Sequence, residues 1–276
     1  MKIFGIDFTS TPTSKKPITC AVAEIGGTGL SIETLENLEG FGEIEARLAT
    51  DGSWVAGLDF PFGQSRLFIE NIGWPESWED YASLVARMSR EEFVKVLENY
   101  KAGRAAGDKE HRREIDVLAS SISPQKLYGV PVGKMFYEGA KRILASDADI
   151  VPVRRRASER VIVEAYPAIV ARRFIGNRSY KNDVKKKQTP ELEQARRDIV
   201  SGIHSSVFQS VYGISLNIDD DLKEIMVSDA SGDTLDSVLC AIQASWAYLN
   251  REKDYGIPSH ADRSEGWIAD PLFFTE

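Results

Sequence analysis

Two short apolar runs each carry an aspartate close to their end: Gly5-Ile6-Asp7-Phe8 at the close of the first eight residues, and Gly57-Leu58-Asp59-Phe60 at the close of Trp54 to Phe60. A carboxylate embedded in such a run is costly to bury alone, because it must either take up a proton or meet a cation. A third run, Val161-Ile162-Val163-Glu164-Ala165, repeats the pattern and is stopped by Pro167. In an open α/β sheet, ligand sites collect beyond the carboxyl ends of the strands at a switch point in strand order. Asp7 and Asp59 would stand side by side there if their strands are neighbours.

The surrounding sequence supplies such a sheet. Met1 to Phe8, Ile18 to Ile25 and Leu30 to Leu38 read as three strands, the last two joined across Gly26-Gly27-Thr28-Gly29, so the chain opens as an antiparallel meander. Gly42 to Ala49 reads as a short helix. The almost continuous apolar run Trp54 to Phe60 reads as a strand buried on both faces, parallel to the first after a crossover. From Gln64 onward the period turns helical, with Trp78, Tyr81, Leu84 and Val85, then Phe93, Val96, Leu97 and Tyr100, which predicts a helical insertion, or cap, over 64–150. Strand character returns at Arg160 to Ala165, followed by a helix from Pro167 to Phe174 that Gly176 closes. A basic loop from Asn177 to Lys187, a helix from Pro190 to Phe208, a long apolar helix from Thr234 to Asn250 and an irregular tail from Asp254 complete the chain. With 276 residues, 42% of them hydrophobic and 28% charged, the chain can bury a sizeable core, and disordered, collagen-like and coiled-coil classes are excluded. The expected architecture is one α/β domain over 1–276, a mixed sheet with antiparallel meander and parallel strands, carrying the insertion within it.

A further pair of acids, Asp233 and Asp236, opens the last long helix three residues apart and on roughly one face. Acids in a first helical turn are also favoured by capping and the helix dipole, so a structural role for this pair stands beside the chemical one. Oxygen ligands converging from strands and a helix suit one or two Mg²⁺ or Mn²⁺ ions far better than zinc. On this reading Asp7, Asp59, Asp233 and Asp236 are candidate metal ligands, and Asp7, Asp59, Glu164 and Asp236 candidate catalytic residues, with Glu164 holding metal or orienting water. Glu265 either joins them from the tail or caps a local turn.

These motifs resemble a known family, the predicted RNase H-like nucleases catalogued as domain of unknown function 429. The resemblance runs through GIDFTS (5–10), GLDFPFG (57–63), IGWPESWEDY (72–81), GDKEHRR (107–113), SPQKLYGVPVGKMFYEG (123–139), VEAYPA (163–168), RSYKNDVKKKQT (178–189), GDTLDSVLCAIQA (232–244) and EGWIADP (265–271). It implies an RNase H-like fold with Asp7 on the first strand, Asp59 on the fourth, Glu164 on the fifth and Asp236 on the closing helix. The same fold family includes sugar kinases and actin-like ATPases. Those usually show a glycine after the first-strand aspartate, where this chain has Phe8-Thr9-Ser10.

Net charge is −8, yet Ser121 to Lys187 holds 15 lysines and arginines against 6 acids, a local +9, while the remainder carries 19 against 36, or −17. A polyanionic partner is therefore compatible with the acidic total. Lys109, His111, Arg112, Lys126 and Thr9 are the expected substrate-binding residues, with His111 a candidate proton donor. Arg154 to Arg156, Arg172, Arg173, Arg178, Lys181 and Lys185 to Lys187 are the expected phosphate-binding rim. Gly129 to Met135 imitates a phosphate-binding loop but has three residues between its glycines and Met where a magnesium-binding hydroxyl belongs. Cys20 and Cys240 lack metal or disulfide spacing, Asp7 interrupts what would be a leader core, and no run approaches about 18 apolar residues, so a cytoplasmic protein with no membrane contact is expected. The expected activity is a divalent-metal-dependent phosphodiester hydrolase, nuclease-like, acting on nucleic acid or a small phosphodiester. The alternatives are an ATPase or phosphotransferase of the same fold, and a nucleic-acid-binding module without turnover.

Overall fold

The computed structural model describes residues 1–274. The meander forms β1 (Lys2–Asp7), β2 (Ile18–Gly26) and β3 (Gly29–Leu38), followed by α1 (Phe41–Leu48) and β4 (Trp54–Leu58). The helical stretch comprises α2 (Arg66–Ile72), α3 (Trp78–Ala86), α4 (Arg90–Lys101), α5 (Glu114–Leu118) and α6 (Val132–Ala145). Then come β5 (Asp149–Val151), β6 (Arg160–Glu164), α7 (Pro167–Ile175), α8 (Pro190–Gly202), α9 (Ser206–Tyr212), β7 (Ser215–Asn217), α10 (Asp220–Ser228) and α11 (Asp233–Leu249). Among the described residues the seven strands make one sheet in the order β5-β6-β4-β1-β2-β3-β7. β2 runs antiparallel to both β1 and β3, and the remaining pairs are parallel. The protein is thus a mixed α/β fold built on a mostly parallel sheet flanked by helices.

Period-two alternation along β1 decides which side chains each helical layer receives. Phe4 and Ile6, with Ala56 and Leu58 of β4, enter one core together with Phe68, Trp78, Tyr81, Val85, Phe93 and Phe136 of the 64–150 segment. Most of that segment layers on one face of the sheet and shares its core, while Ile115 of α5 and Ala119 just after it enter the other. Ile3, Val55, Val161 and Val163 enter the other core, against Ile169 and Val170 of α7 and Leu235, Val238 and Ile242 of α11.

Gly5 and Gly57 are register partners on β1 and β4 and face α11. A Cβ at Gly5 would stand 2.0 Å from the Ser237 carbonyl oxygen and 2.3 Å from the Ala241 nitrogen, and one at Gly57 would stand 2.6 Å from the Cys240 carbonyl oxygen. The helix backbone therefore rests directly on two strands. Because alternate residues share a face, the acid two positions after each glycine, Asp7 or Asp59, lies on that same side, toward the start of the helix.

Elsewhere the structure corrects the expected elements. The single helix from Pro190 to Phe208 is two: α8 stops at Gly202, and Ser205 opens α9 by accepting from the Phe208 amide at 3.2 Å. α10 and the short edge strands β5 and β7 were not expected; each strand has three residues, too few for period two to show. Cys20 and Cys240 are buried free thiols. Among the described residues no helix is long and apolar enough to cross a membrane. The expected tail ends in Thr275 and Glu276, which lie outside the described residues.

Replacing Gly5 or Gly57 with alanine should cost about 2–3 kcal/mol or more, because the neighbour is backbone that cannot rotate away. Gly42→Ala, on the exposed face of α1 with nothing near its Cβ, should stay within about 0.5 kcal/mol of the parent. Urea unfolding of the three variants checks the contrast.

Candidate functional site

Asp7 is the last residue of β1, and Asp59 follows the last residue of β4. The Asp59 amide donates to the Ile6 carbonyl at 3.0 Å, continuing the parallel ladder by one step and setting the two acids on neighbouring strand ends. α11 starts from Gly232 in the left-handed region at φ 76°, with Asp233 its first residue and Asp236 one turn on. Thr19, which pairs with Asp7 across β1 and β2, donates its hydroxyl to the Asp233 carbonyl at 2.7 Å and ties the helix start to the sheet.

Asp236 is fully buried, and both of its oxygens are engaged by consecutive residues of the basic loop: Oδ1 accepts from the Tyr180 hydroxyl at 2.6 Å, and Oδ2 from Lys181 Nζ. A Cβ on Gly232 would lie 2.8 Å from Lys181 Cβ, so the absence of a side chain there admits the lysine. The charge on Lys181 acts on Asp7, Asp59 and Asp233 as well as on the Asp236 it contacts, and Lys16 adds a second positive charge toward Asp233.

The titration of these groups follows from that arrangement. Burial, with Asp236, Asp233 and Asp59 adding repulsion, holds the Asp7 carboxyl well above the ordinary range, although Lys181 pulls it down. Burial and then Asp236 push Asp59 up to about 7, again against Lys181. Asp233 is raised chiefly by burial. Burial works to discharge Lys181, but Asp236 and its neighbours keep it charged, well above a free lysine.

Glu164 shares a cleft with Asp59 and Asp236, yet its oxygens are already engaged. Oε1 accepts from Arg113 Nη2 at 2.6 Å, and Oε2 from Arg113 Nη1 at 2.8 Å and from the Phe62 amide at 2.9 Å. Arg113 also meets Asp116 at 2.8 and 2.9 Å and the Glu265 carbonyl at 3.0 Å, and both the arginine and Glu164 are almost wholly buried. This network joins the end of β6 to α5. The Glu265 carboxylate accepts from the first amides of two helices, Arg66 N of α2 at 2.5 Å and Glu114 N of α5 at 3.3 Å, which is the capping role.

Thr9 lines a cleft of about 580 Å³ with Asp7, Ser10, Lys16, Lys181 and Asp233. Lys109, His111, Arg112 and Lys126 are not brought there. His111 and Arg113 point inward and the exposed Arg112 between them points away, as alternation in an extended loop requires. His111 Nε2 lies 2.6 Å from the Tyr100 hydroxyl, its amide donates to Gln125 Oε1 at 2.7 Å, and burial lowers its pKa. Lys109 lines a separate depression beside Lys101, Glu110 and Tyr128, and the Lys126 ammonium lies 5.0 Å from the Tyr128 ring centre. The basic rim is largely engaged within the protein. Arg154 donates to the carbonyls of Ile143, Leu144, Ser146 and Ala148 at the end of α6, while Arg155 pairs with Asp254, Arg172 reaches the Ala119 carbonyl and Arg178 pairs with Asp198.

Lys181 was expected in the phosphate-binding rim; its engagement of Asp236, and that of Tyr180 beside it, was not legible in the sequence. Buried acids demand a cation, and Lys181 is supplied from 55 positions away. Among the described residues no group of three or more His, Cys, Asp or Glu side chains stands arranged to hold a metal ion.

A carboxyl whose folded pKa is raised contributes stability that is complete below its unfolded value, 3.8 for Asp59, and is lost as pH rises through its folded value of about 7. In chelator-treated protein the melting temperature should fall as pH rises from about 4 to about 7. Asp59→Asn should reduce that fall and melt above the parent at the higher pH; parallel curves for the two proteins would contradict the assignment.

Residues 5–263 match the family described as "Protein of unknown function (DUF429)", and the chain belongs to that family. No curated protein and no solved structure matches it.

Proposed function

Starting from membership of a family whose description carries no activity, we propose that this chain is a divalent-metal-dependent phosphodiester hydrolase of RNase H-like architecture. An antiparallel meander continued by parallel strands, with acids at the ends of β1 and β4 and on the closing helix, is what that architecture leads one to expect. The observation that carries the proposal is the convergence of four carboxylates at the ends of β1 and β4 and the start of α11, with Lys181, and Lys16 toward Asp233, as their positive partners; burial, and then mutual repulsion, drives Asp7 and Asp59 toward protonation.

The donor set suits Mg²⁺ or Mn²⁺, since Asp7, Asp59, Asp233 and Asp236 offer hard oxygens and no sulfur or imidazole. Lys181 acts as the stand-in, holding Asp236 Oδ2 where a divalent ion would bind. Occupation by one or two such ions requires its ammonium to leave that oxygen. A bound ion would supply Lewis-acid neutralisation of the phosphoryl oxygens. Asp7 and Asp59 would hold it from adjacent strand ends and Asp236 from the helix, with the Tyr180 hydroxyl fixing the orientation of that carboxylate. Lys181 would offer its positive charge to a bound phosphate, and Thr9 would offer a hydroxyl from the same cleft. Glu164, engaged by Arg113, positions the end of β6.

Calorimetric titration with Mn²⁺ should give saturable binding that Asp7→Asn weakens by about a hundredfold or more. Lys181→Met, which removes the competing ammonium, should bind the ion more tightly than the parent. Hydrolysis of bis(p-nitrophenyl) phosphate should require the metal and be lost in Asp59→Asn. Absence of Mn²⁺ binding, or binding indifferent to Asp7→Asn, would overturn the proposal.

A further inference from the structure

The acid cluster also forms one wall of a second, mostly apolar cavity of about 290 Å³, lying between the ends of β4 and β6 beneath the segment 121–135. Asp59, Asp236 and Lys181 line its polar side, and Ile122, Val130, Met135, Tyr166, Pro167 and Ile268 line much of the rest. Val130 is 58% exposed and Ile122 37%, an apolar lip that water does not favour and that no side chain of the protein covers among the described residues. Apolar walls with charged groups gathered at one side are the usual form of a small-molecule site, and this volume lies at the small end of that range.

The remaining polar side chains of the cavity are committed to one another. Arg113 and Asp116 are paired at 2.8 Å, and the Ser121 hydroxyl donates to Asp116 Oδ1 at 2.8 Å. They leave the cavity with shape and apolar contact to offer, and little with which to read the hydrogen-bonding edge of a ring. A volume of about 290 Å³ has room for one small ring system.

Resting on the hydrolase reading, we propose that the substrate is a small nucleoside phosphoester, or the terminal nucleotide of a strand, whose single base occupies this cavity with little preference among bases while its phosphate meets Lys181 and the acid cluster. Aromatic stacking and burial of one base against these walls should add about tenfold or more to affinity.

Adenosine 5′-monophosphate and ribose 5-phosphate share sugar and phosphate and differ by the base, so calorimetry of both against the full chain in Mn²⁺ isolates the cavity's contribution. The nucleotide should bind at least about tenfold more tightly, and thymidine 5′-monophosphate should behave like it. Ala168→Trp, which fills the cavity from α7, and Ile122→Asp, which charges its lip away from the acid cluster, should each erase the advantage while leaving ribose 5-phosphate unchanged. Equal affinities for the two phosphates, or an advantage that survives both substitutions, would overturn the proposal. Titration of metal-free protein with adenosine separates it from the hydrolase reading. If adenosine binds saturably and Ala168→Trp abolishes this while Mn²⁺ does not bind, the cavity is supported and the hydrolysis falls. If Mn²⁺ binds and diesters are cleaved but the base adds nothing, the cavity assignment alone falls.

Discussion

Contact between the α11 backbone and the strands β1 and β4 is the constraint on which the rest of the molecule depends. It exists because Gly5 and Gly57 have no Cβ, and it brings the first turn of a buried 17-residue helix over two strand ends. Had either position carried a side chain, the helix would stand off the sheet, and Asp236 would not reach the acids at the ends of β1 and β4. Packing here sets chemistry: the same two-residue alternation that presents a glycine to the helix presents an aspartate to its N-terminal turn.

That convergence creates an electrostatic debt which the protein meets in two different ways. Around Glu164 the debt is settled internally, because Arg113 engages both oxygens and is itself held by Asp116 and the Glu265 carbonyl. A buried arginine with a bidentate partner is fixed, and such a group locks β6 to α5. Around Asp7 and Asp59 the debt is left open, for Lys181 contacts one carboxylate while several stand near it. A lysine on a flexible stem is also easier to displace than a forked guanidinium. The strand-end acids thus divide into one that builds the cleft and a group that leaves it hungry for positive charge.

The acid-bearing strands, the meander, the parallel crossover, the helix opened by Pro167 and the long closing helix were legible because each rests on local pattern: an apolar run, a glycine hairpin, a proline at a helix start. β5 and β7 were not, since three residues carry no period and edge pairing is decided by the neighbour they find. Glu164 read as a further candidate catalytic acid beside Asp59, because both stand at the ends of apolar strands; Arg113, 51 positions away, distinguishes them. The segment holding Lys109, His111 and Arg112 read as a phosphate clamp on composition, whereas His111 turns inward to Tyr100 and leaves the cations facing elsewhere.

By itself, then, the sequence determined that Asp7 and Asp59 would end buried strands and require either protons or a cation, since that follows from placing carboxylates in apolar runs. It also concentrated positive charge between Ser121 and Lys187, where the total of −8 concealed it. Only the tertiary structure decided which positive charge answers which acid. Ion pairing depends on distance in space, and the separation along the chain between Arg113 and Glu164, or between Lys181 and Asp236, says nothing about it until the sheet and α11 have closed.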